Sequence, residues 1–175
     1  TKAQAFRLSL SAPGFVDLSA PGPGVLAISG KGLETRASLG TDGGDIHLFA
    51  WLPAGDYRVW QRPGRDSPGS GWLRATKVEA GKIGSAEDRP GGLIAAQEFQ
   101  AWSFKVQDEG LVGLGLKADK DGLGLLLYDG KQGLVASGTL ILEYLEPGDY
   151  LAVVRGLPEE TSEYRLVVEG VFGSR

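Results

Sequence analysis

The sequence predicts an all-β chain built as two tandem antiparallel β-sandwich domains of Greek-key or jelly-roll-like form. Three observations carry this. Apolar and polar residues alternate with a period of two in many short runs. Glycine punctuates those runs, with 28 among 175 residues, about twice the usual share. The order of motifs in the first half returns in the second.

The alternation appears first where Phe6, Leu8 and Leu10 interleave with Ala5, Arg7 and Ser9. Tyr57 and Val59 alternate with Arg58 and Trp60. Trp102, Phe104 and Val106 alternate with Ser103 and Lys105, and Tyr164, Leu166 and Val168 with Arg165 and Val167. Period two with one wetter face marks an antiparallel sheet. Asp121-Gly122 and Asp129-Gly130 are turn dipeptides. The best helix candidate is Leu93–Gln107, which has no Gly or Pro, but its second half alternates, which leaves at most a short helical turn at Leu93–Gln97.

The repeat is read element by element. Ala5-Phe6-Arg7-Leu8-Ser9-Leu10 aligns with Ala101-Trp102-Ser103-Phe104-Lys105-Val106. Gly14-Phe15-Val16 and Leu18 align with Gly110-Leu111-Val112 and Leu114, and Gly30-Lys31 with Gly130-Lys131. Leu52-Pro53-Ala54-Gly55-Asp56-Tyr57 meets Leu145-Glu146-Pro147-Gly148-Asp149-Tyr150, and Ser70-Gly71-Trp72 meets Ser162-Glu163-Tyr164. The drifting offset is what insertions in surface loops produce. The expected division is residues 1–80, a linker at 81–97 rich in Gly and Pro, and residues 98–175. The linker has a first strand of the second copy as its alternative role.

The Leu-x-x-Gly-Asp-Tyr motif has a structural purpose. Proline fixes φ and glycine turns the chain, after which the tyrosine ring folds back over the turn. Its hydroxyl then reaches an upstream backbone group, as in the tyrosine corner of Greek-key sandwiches.

Composition narrows the function classes. Cysteine is absent, which removes disulfides, thiolate nucleophiles and the usual zinc sites. Methionine is absent too, an initiator included, which reads as a processed or excised piece. No apolar run approaches the roughly 20 residues of a membrane-spanning helix. Residues 1–86 hold ten Lys/Arg against seven Asp/Glu, and residues 87–175 hold eight against fifteen, so +3 stands beside −7. Neither value suggests nucleic acid as a partner.

The second copy resembles the bacterial pre-peptidase C-terminal domain family. The matching residues are Trp102-Ser103-Phe104-Lys105-Val106, Gly110-Leu111-Val112, Leu123–Asp129, Leu134-Val135-Ala136, Leu145–Val154 and Tyr164-Arg165-Leu166-Val167-Val168. The first copy resembles it more weakly over residues 4–78. The resemblance implies β-sandwiches appended to exported bacterial proteins, hence a secreted, periplasmic or cell-surface location and a non-catalytic role. It also implies calcium binding in some relatives.

Candidate sites are few. His47 is the single histidine, so any Ser-His-Asp arrangement must use it, and no Gly-x-Ser-x-Gly elbow accompanies it. A structural or surface histidine is the stronger reading. Gly22-Pro23-Gly24 and Gly113–Gly115 lack the Gly-Lys-Ser/Thr of a phosphate loop and read as turns and weak strands. Calcium would use Asp119, Asp121 and Asp129, with Glu87 and Asp88 as a second group, although solvated turn acids remain the leading reading. The sharpest local signal is Arg58, Trp60, Arg62 and Arg65, followed by Trp72 and Arg74. A hairpin pairing Trp60 with Trp72 sets Arg58 beside Arg74, a Trp/Arg surface suited to a sugar ring or an anion. Against it, Val153, Tyr164 and Leu166 hold the matching positions in the second copy, which points to a core role for the tryptophans. The expected function is a non-catalytic accessory module that binds another protein or the rest of a larger parent chain. A polysaccharide-binding module using Trp60 and Trp72 is the alternative.

Overall fold

A computed structural model describes residues 2–40, 44–65, 71–85, 87–130 and 133–170. Within these residues every regular element is a strand, and the chain is all-β with antiparallel sheets. Two compact units divide at Thr1–Val78 and Glu79–Arg175.

The first unit holds β1 (Gln4–Leu10), β2 (Gly14–Pro21), β3 (Gly24–Gly30), β4 (Leu33–Gly40), β5 (Asp45–Leu52), β6 (Gly55–Pro63) and β7 (Arg74–Lys77). They form two sheets, ordered β1-β6-β3-β4 and β5-β2-β7. The inward residues of both meet in one core, with Val16, Leu18, Ala20, Leu26, Ile28, Ile46, Leu52, Tyr57 and Val59 buried.

The second unit opens with β8 (Ala80–Lys82) and β9 (Gly91–Ile94). It continues with β10 (Phe99–Val106), β11 (Gly110–Ala118), β12 (Gly124–Asp129), β13 (Gly133–Gly138), β14 (Leu140–Leu145), β15 (Gly148–Arg155) and β16 (Ser162–Gly170). Its sheets run β13-β12-β15-β10-β8 and β14-β11-β16-β9.

The repeat read from sequence is present in the topology. Replacing β1-β6-β3-β4 by its aligned counterparts gives β10-β15-β12-β13, and β5-β2-β7 gives β14-β11-β16; both orders occur. Of the aligned residues, Ser70 and Lys131 lie outside the described set. Both tyrosine corners form: the Tyr57 hydroxyl donates to the Pro53 carbonyl at 2.6 Å, and that of Tyr150 to Glu146 at 2.8 Å.

The structure departs from the sequence reading in three places. The segment 81–97 is not a bare linker. Its β8 runs parallel to β10 and its β9 pairs with β16, so both belong to the second unit. β8 fits because Gly81 has no side chain: a Cβ there would lie 2.2 Å from the Trp102 ring. No helical turn forms at Leu93–Gln97. Leu93 and Ile94 are in β9, and Gln97 takes a positive φ of 60°, outside the helical region. The last pair of the repeat is shifted by one residue. β2 pairs Leu18 with Ala75, and β11 pairs Leu114 with Val168, so Trp72 corresponds to Arg165 and not to Tyr164. A one-residue slip reverses the face. Leu73 therefore packs against the core and Trp72 turns outward.

Candidate functional site

The proposed Trp60–Trp72 hairpin does not exist. β6 and β7 lie in different sheets of the first unit, so Arg58 and Arg74 are not cross-strand neighbours. Trp72 is 38% exposed, and the Arg74 guanidinium stands 5.3 Å from its ring centroid, a local cation–π pair. Trp60 is half-buried and is absent from the core.

Trp60 has different company. Its strand sits between β1 and β3, and its direct neighbours are Ala5 and Ala27, with Ala37 beyond. Arg58 stands opposite Arg7 on one side and Ser29 on the other. Arg62 stands opposite Val25, which faces Leu39. All these residues alternate with the buried Val59, Leu26 and Ile28, so they share the outer face of the sheet. Arg7 is bonded to the Asp56 carboxylate at 2.9 Å, and Ser9 also donates to Asp56. These bonds, from Ser9 first and then Arg7, hold the Asp56 carboxyl below its usual range.

The carboxylates read as calcium ligands do not converge. Asp119 accepts hydrogen bonds from the Ser162 hydroxyl at 2.6 Å and the Glu163 N–H at 2.9 Å. It thereby ties the end of β11 to the start of β16, and the Ser162 bond chiefly lowers its pKa. Asp121 is exposed beside it. Asp129 closes β12, five residues of strand beyond Gly124, or roughly 16 Å along the chain. Asp88 accepts from the N–H groups of Gly84 and Ser85 at 2.7 and 3.0 Å and closes a local turn, and those bonds lower its pKa. No group of three or more His, Asp or Glu gathers around a metal position among the described residues.

His47 lies on β5 with Nδ1 at 2.9 and 3.0 Å from the two Asp17 oxygens, and its ring stacks on Phe49 at 6.1 Å. The pair bridges β5 and β2 and is accounted for by the sheet.

The second unit shows what sequence reading missed. Along β14, Ile141 and Leu145 enter the core, while Leu140, Leu142 and Tyr144 are 76%, 63% and 63% exposed. Their partners on β11 are Gly115, Gly113 and Leu111, and Leu111 is 53% exposed. The glycines leave a bare floor over which the leucines lean: added Cβ atoms would lie 3.6 Å from Leu142 Cδ1 and 3.9 Å from Leu140 Cδ1. Among the described residues β14 is also an edge strand, bonded to β11 and to no other strand. Alternate residues of such a strand turn their N–H and C=O groups to the open side. The signal was present as Leu-Ile-Leu-Glu-Tyr-Leu. Apolar residues on both faces hide which face is the core.

No helix among the described residues is long and apolar enough to cross a membrane. In comparisons with known proteins, the chain matches no family model and no curated protein.

Proposed function

We propose that this chain is a non-catalytic interaction module of an exported bacterial protein, and that it docks a protein partner on β14. Export and the bacterial setting rest on the resemblance to the pre-peptidase C-terminal domains. The docking reading rests on one observation: an edge strand presents Leu140, Leu142 and Tyr144 to solvent beside Leu111.

The physical argument concerns what such a strand ordinarily avoids. Edges are usually blunted by a lysine, a proline, a bulge or a covering loop. β14 carries one inward-facing charge, the partly buried Glu143, but its outward positions hold no lysine or proline and its pairing with β11 runs without a register shift. Four large apolar side chains together approach the few hundred Å² that monomeric proteins seldom leave uncovered. A partner strand added to this edge gains main-chain hydrogen bonds, while the leucines and Tyr144 give it side-chain selectivity.

Selection from a library of displayed peptides tests the reading with the whole chain as bait. The expected binders are extended, apolar at alternate positions, and at least tenfold weaker on Leu142→Glu than on Leu39→Ser in the first unit. Binders indifferent to Leu142, or none at all, would contradict it.

A further inference from the structure

We propose that the outer face of the β1-β6-β3-β4 sheet is a second binding site, for a carboxylate-bearing polysaccharide. This site is separate from β14 and does not depend on it.

The sheet register builds the site. Arg58, Trp60 and Arg62 stand in line on β6, two residues apart, so about 7 Å separates each from the next. The tryptophan is bordered by Ala5 on β1 and by Ala27 and Ala37 towards β4. Alanines are too short to cover an indole from its flanks, so the half-buried Trp60 keeps part of its ring open to solvent on this face. Beside it lies a depression of about 620 Å³, lined by Ala5, Arg7, Ser29, Asp56 and Arg58 among others.

The charges decide the ligand. Arg7 and Arg58 are direct cross-strand partners, and like charges so placed oppose the pairing. Asp56 neutralises Arg7 at 2.9 Å. Arg58 and Arg62 have no ion pair among the described residues, which leaves two guanidinium groups flanking one aromatic ring. A sugar ring stacks its C–H face on Trp60, as apolar surface on an aromatic platform. Its carboxylate accepts the fork of Arg58 or Arg62. The Ser29 hydroxyl and the Asp56 carboxylate, a donor and an acceptor, suit sugar hydroxyls. A neutral sugar offers the two guanidinium groups hydroxyl acceptors only, without the charge or the bidentate match of a carboxylate. A nucleic acid draws its affinity from many phosphate contacts, and this face offers only two cations without an ion pair among the described residues, on a chain of pI about 5.1.

The test titrates the full chain with polygalacturonate and with alginate in calcium-free buffer, followed by tryptophan fluorescence and calorimetry. Dextran serves as the neutral polymer and oligo-dT as the polyanion without sugar acids. The expected result is saturable binding of at least one of the two acidic polymers, at least tenfold tighter than dextran or oligo-dT. Affinity should fall tenfold or more on Trp60→Ala and on Arg58→Gln, with less loss on Arg58→Lys and none on Leu142→Glu. Thermal melting establishes that each variant is folded, and Arg62→Gln, at an exposed position, replaces Trp60→Ala if that variant does not fold. Dextran or oligo-dT binding as tightly, variants that bind unchanged, or no saturation with either acidic polymer would overturn the proposal.

Discussion

The Tyr57 hydroxyl donates to the Pro53 carbonyl four residues upstream, and Tyr150 repeats the bond to Glu146 in the other unit. Each tyrosine ring is buried, and burial raises the pKa of both hydroxyls. Two chemically identical corners, each closing the turn before a central strand, give the repeat a physical meaning.

Replacing either tyrosine by phenylalanine keeps the ring and removes one hydrogen bond. The expected loss is about 1 kcal/mol in the unit concerned, or about 4–8 °C in its melting temperature. The corners are far apart in sequence and share no partner, so the double variant should lose the sum. Calorimetric melting of the two singles and the double checks this.

Gly81 is expected to be intolerant. A Cβ there meets the Trp102 ring at 2.2 Å, and Trp102 is itself held by donating Nε1–H to the Tyr164 hydroxyl at 2.9 Å. Gly81→Ala should displace β8 or the ring, with a loss of about 1–3 kcal/mol and a shift in tryptophan emission. Gly84→Ala, whose nearest neighbour would be the Asp88 carboxylate at 3.6 Å, should be close to neutral. Urea unfolding followed by fluorescence separates the two.

Asp119 should make stability fall in acid. Its carboxyl titrates below the usual aspartate range, because the Ser162 hydroxyl and then the Glu163 N–H donate to the ionised form. The stabilisation is therefore complete above the unfolded pKa and is lost as pH falls through the folded one. Urea midpoints measured from pH 6 to pH 2.5 should drop less steeply for Asp119→Ala than for the native chain. Asp56 and Asp88 are lowered in the same sense, so the Asp119→Ala curve should keep a residual slope.

Calcium is expected to leave melting unchanged. One Asp119 oxygen is already bonded to β16, and Asp129 ends the far side of β12. Melting in chelator and in millimolar calcium should coincide, and a calcium-dependent rise would restore Asp119, Asp121 and Asp129 as ligands.

The architecture was legible because period-two alternation and the Leu-x-x-Gly-Asp-Tyr turn are local signals that recur in order. Pairing across sheets was not. Trp60 and Trp72 flank one loop, yet β6 and β7 enter opposite sheets, and no local pattern distinguishes that path from a hairpin. The face of Trp72 turned on a one-residue register choice that Leu73, the residue taken into the core, decides. The β14 surface was hidden for a different reason: Ile141 and Leu145 are as apolar as Leu140 and Leu142, so alternation carries no contrast.

The most direct test of docking on β14 is amide hydrogen exchange of the whole chain with and without a peptide selected on it. Strand addition predicts new protection at alternate amides of Leu140–Leu145, with the amides of β6 unchanged. Protection confined to other strands, with β14 exchanging as before, would contradict the assignment of this edge as the interaction surface.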